Sequence, residues 1–207
     1  MTTPGILVLI LVAVLFSCNS PMQSKQERAE HDSANAPPQT STETPDKSVK
    51  VDTTYGTYHI AVFTKDKSNM RDLILAIGST KDTTKADSII ERDVKGQLSN
   101  VMIADLDGNG KPEVYCFLLS EGTGQYGRIY GFDLTGKVTR IDTYALDTLQ
   151  MAGYGGQDTF YIKGRELVRS FPMYKEGSPD ALTTDTRDII NYRLKKTNDT
   201  MRLIPVK

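Results

Sequence analysis

The segment of the sequence with the greatest density of metal-ligand atoms is residues 105–113, Asp-Leu-Asp-Gly-Asn-Gly-Lys-Pro-Glu. Oxygen-bearing side chains stand at positions 1, 3, 5 and 9 of this run, and a glycine at position 6 allows a sharp bend. Hard cations such as Ca²⁺ bind carboxylate, amide and carbonyl oxygens at this kind of spacing. The predicted ligands are the side chains of Asp105, Asp107, Asn109 and Glu113 and the backbone carbonyl of Lys111.

Two interpretations of this acidic segment stay open. An EF-hand needs a bidentate Glu at position 12, which here is Cys116, so the segment is not an EF-hand. Its spacing is more similar to the single calcium loops of integrin-type β repeats, which join two strands. Alternatively, Asp and Asn cap backbone amides in a plain strand connection and Gly supplies a positive φ. Without a bound ion, three carboxylates with Lys111 as their one basic neighbour would repel one another, which supports the calcium hypothesis.

A glycine-rich segment follows at residues 120–127, Ser-Glu-Gly-Thr-Gly-Gln-Tyr-Gly. It is not a phosphate-binding loop, because it lacks the lysine of that motif and leads into a strand. An ordinary hairpin loop is the alternative, but three glycines and an aromatic residue are more than a turn requires. Exposed loops on a rigid β scaffold often carry binding residues. Thr123 and Tyr126 are therefore candidate contacts with a partner.

The sequence argues against an enzyme. Of its two histidines, His59 lies in a predicted strand and His31 in the polar N-terminal region, and no nucleophile-elbow motif is present. Cys116 stands in an apolar run and is predicted to be a buried, unreactive thiol. The acids of residues 105–113 are sequence neighbours on a tight turn, a poor arrangement for flanking a sugar from two sides. We predict no catalytic residues.

The elements that position these segments are predicted to be β-strands. Short apolar or β-branched runs alternate with turn signals from residue 55 onward, and Gly136, Gly164 and the Asn198-Asp199 pair mark hairpins. The nearest candidate for a helix, residues 85–92, is too short to be convincing. The pattern predicts an all-β fold, an antiparallel sandwich or barrel-like domain of about 8–10 strands.

The N-terminal residues resemble a bacterial lipoprotein signal. Residues 6–16 are 11 consecutive apolar residues, too few for a membrane span, and they end at Ser17-Cys18. Residues 1–5 contain no Lys or Arg, which departs from the usual signal pattern. We predict a lipoprotein signal peptide over residues 1–17 and lipidation of Cys18; an ordinary cleaved signal is the alternative. Anchoring would place the protein in the bacterial cell envelope, at the outer membrane facing the periplasm or the surface.

The remaining composition divides the chain into a tether and a domain. Residues 18–50 carry four prolines among polar and charged residues and are predicted to form a disordered, lipid-anchored linker. Residues 51–207 are long enough for one domain with a hydrophobic core. A formal net charge of −1 offers no basic field for nucleic acid, so we expect no nucleic-acid partner.

Three ordered sequence blocks resemble the periplasmic inhibitors of invertebrate-type lysozyme. They cover about residues 100–195. The first two are the acidic and glycine-rich segments described above. The third consists of Gly153-Tyr-Gly-Gly-Gln-Asp-Thr-Phe160, Leu167-Val-Arg-Ser-Phe-Pro-Met-Tyr174 and Asn191-Tyr-Arg-Leu194.

The resemblance implies an antiparallel β-sandwich, often dimeric, that blocks lysozyme by inserting a loop into the active cleft. The loop of the family falls on residues Thr123, Gly124, Gln125 and Tyr126 of this chain. Thr123 stands where the family has Ser, and Gln157 where it tends to have His. The implied partners are lysozyme, the membrane through the N-terminal lipid, and a second copy of the chain in a homodimer.

Other functions stay open beside lysozyme inhibition. One alternative is a calcium-stabilised surface lipoprotein that binds a glycan or a host protein. Another is a purely structural envelope domain. Inhibition by loop insertion requires no cofactor, and Ca²⁺ is the one candidate ion.

Overall fold

The computed structural model describes the greater part of the predicted domain. The described residues lie in one compact unit and comprise 49–67, 70–82, 84, 86–174 and 186–206. The predicted signal over 1–17, the lipidation site Cys18 and nearly all of the linker lie outside them. Within the described ranges no helix is both long enough and apolar enough to cross a membrane.

The described residues form twelve strands and one helical turn. In chain order these are β1 (Val51–Tyr55), β2 (Tyr58–Lys67), β3 (Met70–Ser79), β4 (Ala86–Val94), β5 (Gln97–Ala104), β6 (Glu113–Leu119), β7 (Gly127–Asp133), β8 (Thr139–Thr143), α1 (Thr148–Met151), β9 (Thr159–Lys163), β10 (Glu166–Pro172), β11 (Arg187–Thr197) and β12 (Thr200–Pro205). The all-β prediction is confirmed.

The strands belong to two sheets. One sheet has four strands in the order β1-β2-β3-β4, and the other has eight in the order β5-β6-β7-β8-β12-β11-β10-β9. The pairings are antiparallel except for β8 and β12, which run parallel where Arg202 and Leu203 pair with Asp142 and Thr143. This parallel pair links the β5–β8 meander to the β9–β12 part of the larger sheet.

The twelve strands exceed the predicted number of about 8–10. The difference arises because β1 and β4, the two edge strands of the smaller sheet, have weak sequence signals. The helix candidate at residues 85–92 lies largely in β4, where its described residues are in strand conformation. Ile89 of β4 pairs with Leu75 of β3 and packs against the core. Adjacent β-branched residues such as Ile89 and Ile90 favour a strand once a neighbouring strand is available.

The smaller sheet packs on one face of β5, β6 and β7. Apolar side chains from the two sheets form a shared first core, which comprises Ile60, Val62, Leu73, Leu75, Ile77, Val94, Leu98, Val114, Cys116, Leu118, Tyr130, Phe132, Leu134 and Val138. On β2, Ile60 and Val62 point into this core, as the alternating pattern of that strand predicts.

The larger sheet curls so that its two ends approach each other. Its inner face encloses a second core, which comprises Leu106, Tyr115, Phe117, Ile141, Leu167, Phe171, Ile190, Tyr192, Leu194, Met201 and Leu203. Phe117 of β6 and Phe160 of the edge strand β9 stack with ring centroids 4.7 Å apart. The eight strands therefore approach a closed barrel.

Strand β6 is shared by both cores. Val114, Cys116 and Leu118 face the first core, and Tyr115 and Phe117 face the second. The acidic segment leads into the first residue of β6, and the glycine-rich segment leaves from its last residue. Both candidate segments are thus attached to a strand of the larger sheet in which six of the seven residues are buried.

The double burial of β6 gives a testable stability difference. We expect Phe117→Ala to lower the free energy of unfolding by about 3–5 kcal/mol, because it removes a buried ring from the second core and with it the stacking contact with Phe160. Urea denaturation followed by circular dichroism measures the loss. Ile189→Ala, at a mostly exposed position of β11, is the control and should change the value by less than about 0.5 kcal/mol. Equal losses of stability in the two variants would contradict the placement of Phe117 in the second core.

Candidate functional site

The glycine-rich segment forms a closed loop between β6 and β7. The Ser120 N–H donates to the Tyr126 carbonyl over 3.0 Å, and the Tyr126 N–H donates to Ser120 Oγ over 2.8 Å. Gln125 has a φ of 45° inside the loop. Thr123 is exposed, and Tyr126 is 49% exposed. The two predicted contact residues therefore stand on the surface of a loop whose ends are tied together.

A second segment, residues 153–158, lies against this loop. The Gln157 N–H donates to the Gly124 carbonyl over 2.7 Å. The Gly127 N–H donates to Asp158 Oδ2, also over 2.7 Å. The ring of Tyr126 meets that of Tyr154 edge-on, with centroids 5.6 Å apart. The loop is thus braced along its backbone and along one side of its aromatic residue.

The close approach of the two segments requires glycine. Gly156 has a φ of +87°, and a Cβ there would lie 1.9 Å from the Gly124 carbonyl oxygen. A Cβ at Gly127 would lie 2.6 Å from the ring of Phe160. Any larger residue at these two positions would separate the loop from its support. Gly156 allows backbone to pack on backbone, and Gly127 allows the loop backbone to pack on the side chains of Phe160 and Asp158.

Asp158 and Arg169 form a buried ion pair beneath the loop. Arg169 Nε donates to Asp158 Oδ1 over 2.6 Å, and the two side chains are 10% and 0% exposed, respectively. The Tyr154 hydroxyl donates to Asp158 Oδ2 and accepts a bond of 2.9 Å from Arg169 Nη2. A buried charge is tolerated when it is both paired and hydrogen-bonded, and Asp158 meets both conditions.

Aromatic rings surround the guanidinium of Arg169. The centroids of Tyr154, Phe160 and Phe171 lie 5.3–5.6 Å from its central carbon, within the range of cation–π attraction. Burial alone would lower the pKa of Arg169, but the hydrogen bond and charge of Asp158 outweigh it and raise that pKa. Burial and the bond to Asp158 raise the pKa of the Tyr154 phenol to about 12. The cluster therefore contains a cationic guanidinium and a neutral phenol at neutral pH.

Sequence reasoning identified the loop but missed its support. The blocks 153–160 and 167–174 were recognised as patterns, with no interaction assigned between them. The structure brings both against the loop through Asp158 and Arg169. The available signal was an arginine in the middle of the apolar run 167–171, where a lone charge needs a partner.

The acidic segment connects β5 to β6 and gathers three carboxylates. One oxygen from each of Asp105, Asp107 and Glu113 can be chosen so that all three lie within 4.8 Å of one another. Among the described residues, no Lys or Arg forms an ion pair with these three carboxylates. The grouping is compatible with a metal ion, which prefers several oxygens at one point.

Glu113 is the least satisfied member of this group. Its side chain is fully buried, and Oε2 accepts the Leu106 N–H over 2.7 Å. Its other oxygen, Oε1, is buried without a hydrogen-bond partner. Burial, together with the nearby charges of Asp107, Asp105 and Asp133, raises the pKa of Glu113 to about 7. A buried carboxylate oxygen facing other carboxylates is the donor arrangement that a hard cation fits.

Backbone capping also shapes the acidic segment. Asp105 accepts the N–H groups of Gly108, Asn109 and Gly110 over 2.6–3.1 Å. Burial opposes ionisation of Asp105, but these donors outweigh it and lower its pKa. Asp107 accepts bonds of 3.0 and 2.9 Å from Asn109. Capping accounts for the shape of the turn, but it leaves Oε1 of Glu113 unexplained.

The last two predicted ligands make contacts of their own. Asn109 Oδ1 accepts the Lys111 N–H over 2.7 Å. The ammonium of Lys111 lies 5.9 Å from the ring centroid of Tyr58 on the smaller sheet. Three of the five predicted ligands are therefore gathered as carboxylates, while Asn109 and Lys111 take part in the turn.

The two residues considered for nucleophilic catalysis, His59 and Cys116, lie in different surroundings. His59 Nε2 lies 2.7 Å from Asp52 Oδ1 on β1, and the histidine side chain is half exposed. Cys116 is a free, buried cysteine in the first core, and burial raises its pKa. The prediction that Cys116 is a core thiol is consistent with this position.

The chain matches no protein-family model, no curated protein and no solved structure in comparisons with known proteins.

Because Cys116 is buried, its thiol should be unreactive in the native protein. In a Cys18→Ser variant, where Cys116 is the sole thiol, we expect no measurable reaction with a disulfide reagent in the native state. The thiolate is the reactive form, and burial both hinders access and raises the thiol pKa. In concentrated urea, one equivalent should react. Rapid stoichiometric labelling of the native protein would contradict the buried position.

Proposed function

We propose that the protein is an envelope lipoprotein that inhibits lysozyme by inserting the loop of residues 120–127 into the active-site cleft. The observation that carries this proposal is the combination of exposed side chains and a fixed backbone in that loop. Thr123 and Tyr126 are exposed, while Gly124 and Gly127 are hydrogen-bonded to the supporting segment. A loop held in one conformation loses less conformational entropy on binding.

The chemistry of a lysozyme cleft suits the side chains of this loop. A glycosidase cleft presents two carboxyl groups, one of them ionised. The hydroxyl of Thr123 can donate to the ionised carboxylate, and the phenol of Tyr126 can donate while its ring occupies a sugar subsite. The glycines keep the loop narrow enough to enter the cleft. Inhibition of this kind requires no reaction of the inhibitor.

The resemblance to inhibitors of invertebrate-type lysozyme supports the same function. Two stretches of the third block, 153–160 and 167–174, lie far from the loop in sequence but meet it in the fold, since 153–158 contacts it directly and Arg169 holds Asp158. Thr123 adds a methyl group where the family has Ser. We propose that this methyl group narrows the range of lysozymes whose clefts accept the loop.

The proposed anchor would hold the inhibitor where lysozyme acts. A lipid on Cys18 is attached through the linker of residues 18–50, whose flexible-coil reach is roughly 30 Å. That length allows the domain to meet a soluble enzyme while it stays at the outer membrane. The proposed partners are thus lysozyme, the membrane through the lipid, and a second copy in a homodimer.

A second candidate function is favoured by the acidic segment. We propose that Asp105, Asp107 and Glu113 hold a calcium ion that stabilises the domain, which in this alternative binds a glycan or a host protein at the cell surface. The specific observation is the buried, unpartnered Oε1 of Glu113. Calcium binding is also compatible with lysozyme inhibition, because the acidic segment and the glycine-rich loop lie at opposite ends of β6.

The loop-insertion proposal predicts a specific loss of inhibition. The wild-type chain should inhibit at least one of invertebrate-, chicken- and goose-type lysozyme at micromolar concentration. A Thr123→Ala/Tyr126→Ala variant should inhibit at least about thirtyfold more weakly, because central contacts of an interface carry most of its binding energy. Titration against a cell-wall lysis assay measures both.

The matched control is Thr54→Ala/Tyr55→Ala, which removes the same two side-chain types from exposed positions of β1. It should inhibit as the wild type does. Failure of the wild type against all three enzymes would reject lysozyme inhibition for those targets. Full inhibition by the loop variant would reject the loop but leave the function standing.

The calcium proposal predicts a change in thermal stability. Saturating calcium should raise the melting temperature of the wild type by about 5–10 °C relative to a chelator, as binding well above its Kd stabilises the folded state. Asp105→Ala should abolish most of this rise, and Asp87→Asn on the exposed edge strand β4 should retain it. The comparison is made with and without calcium within each variant, so differences in baseline stability cancel. A melting temperature of the wild type that does not change with calcium would contradict the proposal.

A further inference from the structure

We propose that Asp158 is the positioning residue of the glycine-rich loop: its buried carboxylate, paired with Arg169, holds the loop in the conformation that enters a lysozyme cleft. This proposal rests on the proposed inhibition and adds a residue that does not itself touch the enzyme. It is carried by the contacts of Asp158, which join the loop to the core.

The carboxylate of Asp158 binds on both sides. Toward the loop, Oδ2 accepts the N–H of Gly127, the first residue of β7. Toward the core, Oδ1 accepts Arg169 Nε from β10. The Tyr154 hydroxyl donates to Oδ2, and the Tyr154 ring supports that of Tyr126. A single side chain therefore connects the loop exit, the exposed aromatic residue and the barrel.

The ion pair explains why the support is rigid. Arg169 is buried among aromatic rings and can turn away from Asp158 only by exposing its charge to an apolar surrounding. Asp158, in turn, has no exposed surface through which water could replace its partners. A buried carboxylate with one protein cation and two further donors has few alternative positions.

The backbone on either side of Asp158 completes the support. The Gln157 N–H, from a residue with a φ of 54°, reaches the Gly124 carbonyl in the centre of the loop. Gly156 permits that approach because a Cβ would strike the same carbonyl. The loop is therefore fixed both at its centre and at its exit by one short segment. Loss of this support should lower the population of the binding-ready loop and, with it, the apparent affinity.

Two variants of the full chain, purified in detergent, test the proposal by different routes. Asp158→Asn removes the charge that faces Arg169, and Gly156→Ala keeps the ion pair but pushes the loop away. Their controls are Asp142→Asn, in a half-exposed pair with Arg202, and Gly136→Ala, at a φ of +77° with no atom within 4 Å of the added carbon. Asp142→Asn makes the same charge change as Asp158→Asn. Gly136→Ala places an alanine at a positive φ, as Gly156→Ala does.

Hydrogen exchange by mass spectrometry and lysozyme-binding kinetics are the two readouts. We expect amide exchange of a peptide covering residues 120–127 to become at least tenfold faster in Asp158→Asn and Gly156→Ala, and to stay within twofold of wild type in both controls. Lysozyme binding should weaken at least tenfold, mainly through a slower association rate. A direct contact such as Tyr126 should instead change the dissociation rate when it is removed.

The outcomes separate this inference from the function on which it rests. Unchanged loop exchange in both folded variants would overturn the positioning role. Faster loop exchange with unaltered lysozyme binding, or weakening confined to the dissociation rate, would overturn it as well. If Asp158→Asn fails to fold, Gly156→Ala decides whether the segment that carries Asp158 fixes the loop, because it separates the two while leaving the buried pair in place. A wild type that binds no lysozyme would reject the proposed function, and faster loop exchange in the same variants would still show that Asp158 fixes the loop.

Discussion

The burial of β6 on both faces is the constraint on which the rest of the structure depends. Alternate side chains of this strand enter two different cores, one shared with the smaller sheet and one enclosed by the curled larger sheet. The strand cannot slide by one residue, because every side chain would then face the wrong core. The segments at its two ends therefore leave the domain at fixed positions. Both candidate sites owe their place on the surface to this strand.

A buried carboxylate lies at each end of β6, Asp158 at one end and Glu113 at the other. The two differ in their hydrogen-bond and charge partners. Asp158, beneath the glycine-rich loop, is matched by Arg169, the Tyr154 hydroxyl and a backbone N–H. Glu113, at the acidic end, accepts a backbone N–H on one oxygen and leaves the other without a partner. An internal cation neutralises the first carboxylate. The second has the properties of a group that is completed by a cation from solution.

Local sequence patterns predicted the features that depend on neighbouring residues. The apolar run around Cys116 indicated a buried thiol, and the Asn198-Asp199 pair indicated a hairpin at the place where both residues have positive φ. Features that depend on distant pairing were not predicted. The parallel contact of β8 with β12 joins residues about sixty positions apart, and the Asp158–Arg169 pair forms through the β9–β10 hairpin register. The edge strand β4 was not predicted from the sequence, because its strand conformation depends on pairing with β3.

We propose that the loop of residues 120–127 occupies the cleft in which lysozyme binds sugar. Competition with a chitin trisaccharide, which occupies that cleft, tests it most directly. We expect the apparent inhibition constant of the wild-type chain to rise in proportion to the trisaccharide concentration once the sugar is near saturation, because sugar and loop cannot share the site. Inhibition that is unaffected by a saturating concentration of the trisaccharide would contradict insertion into the cleft.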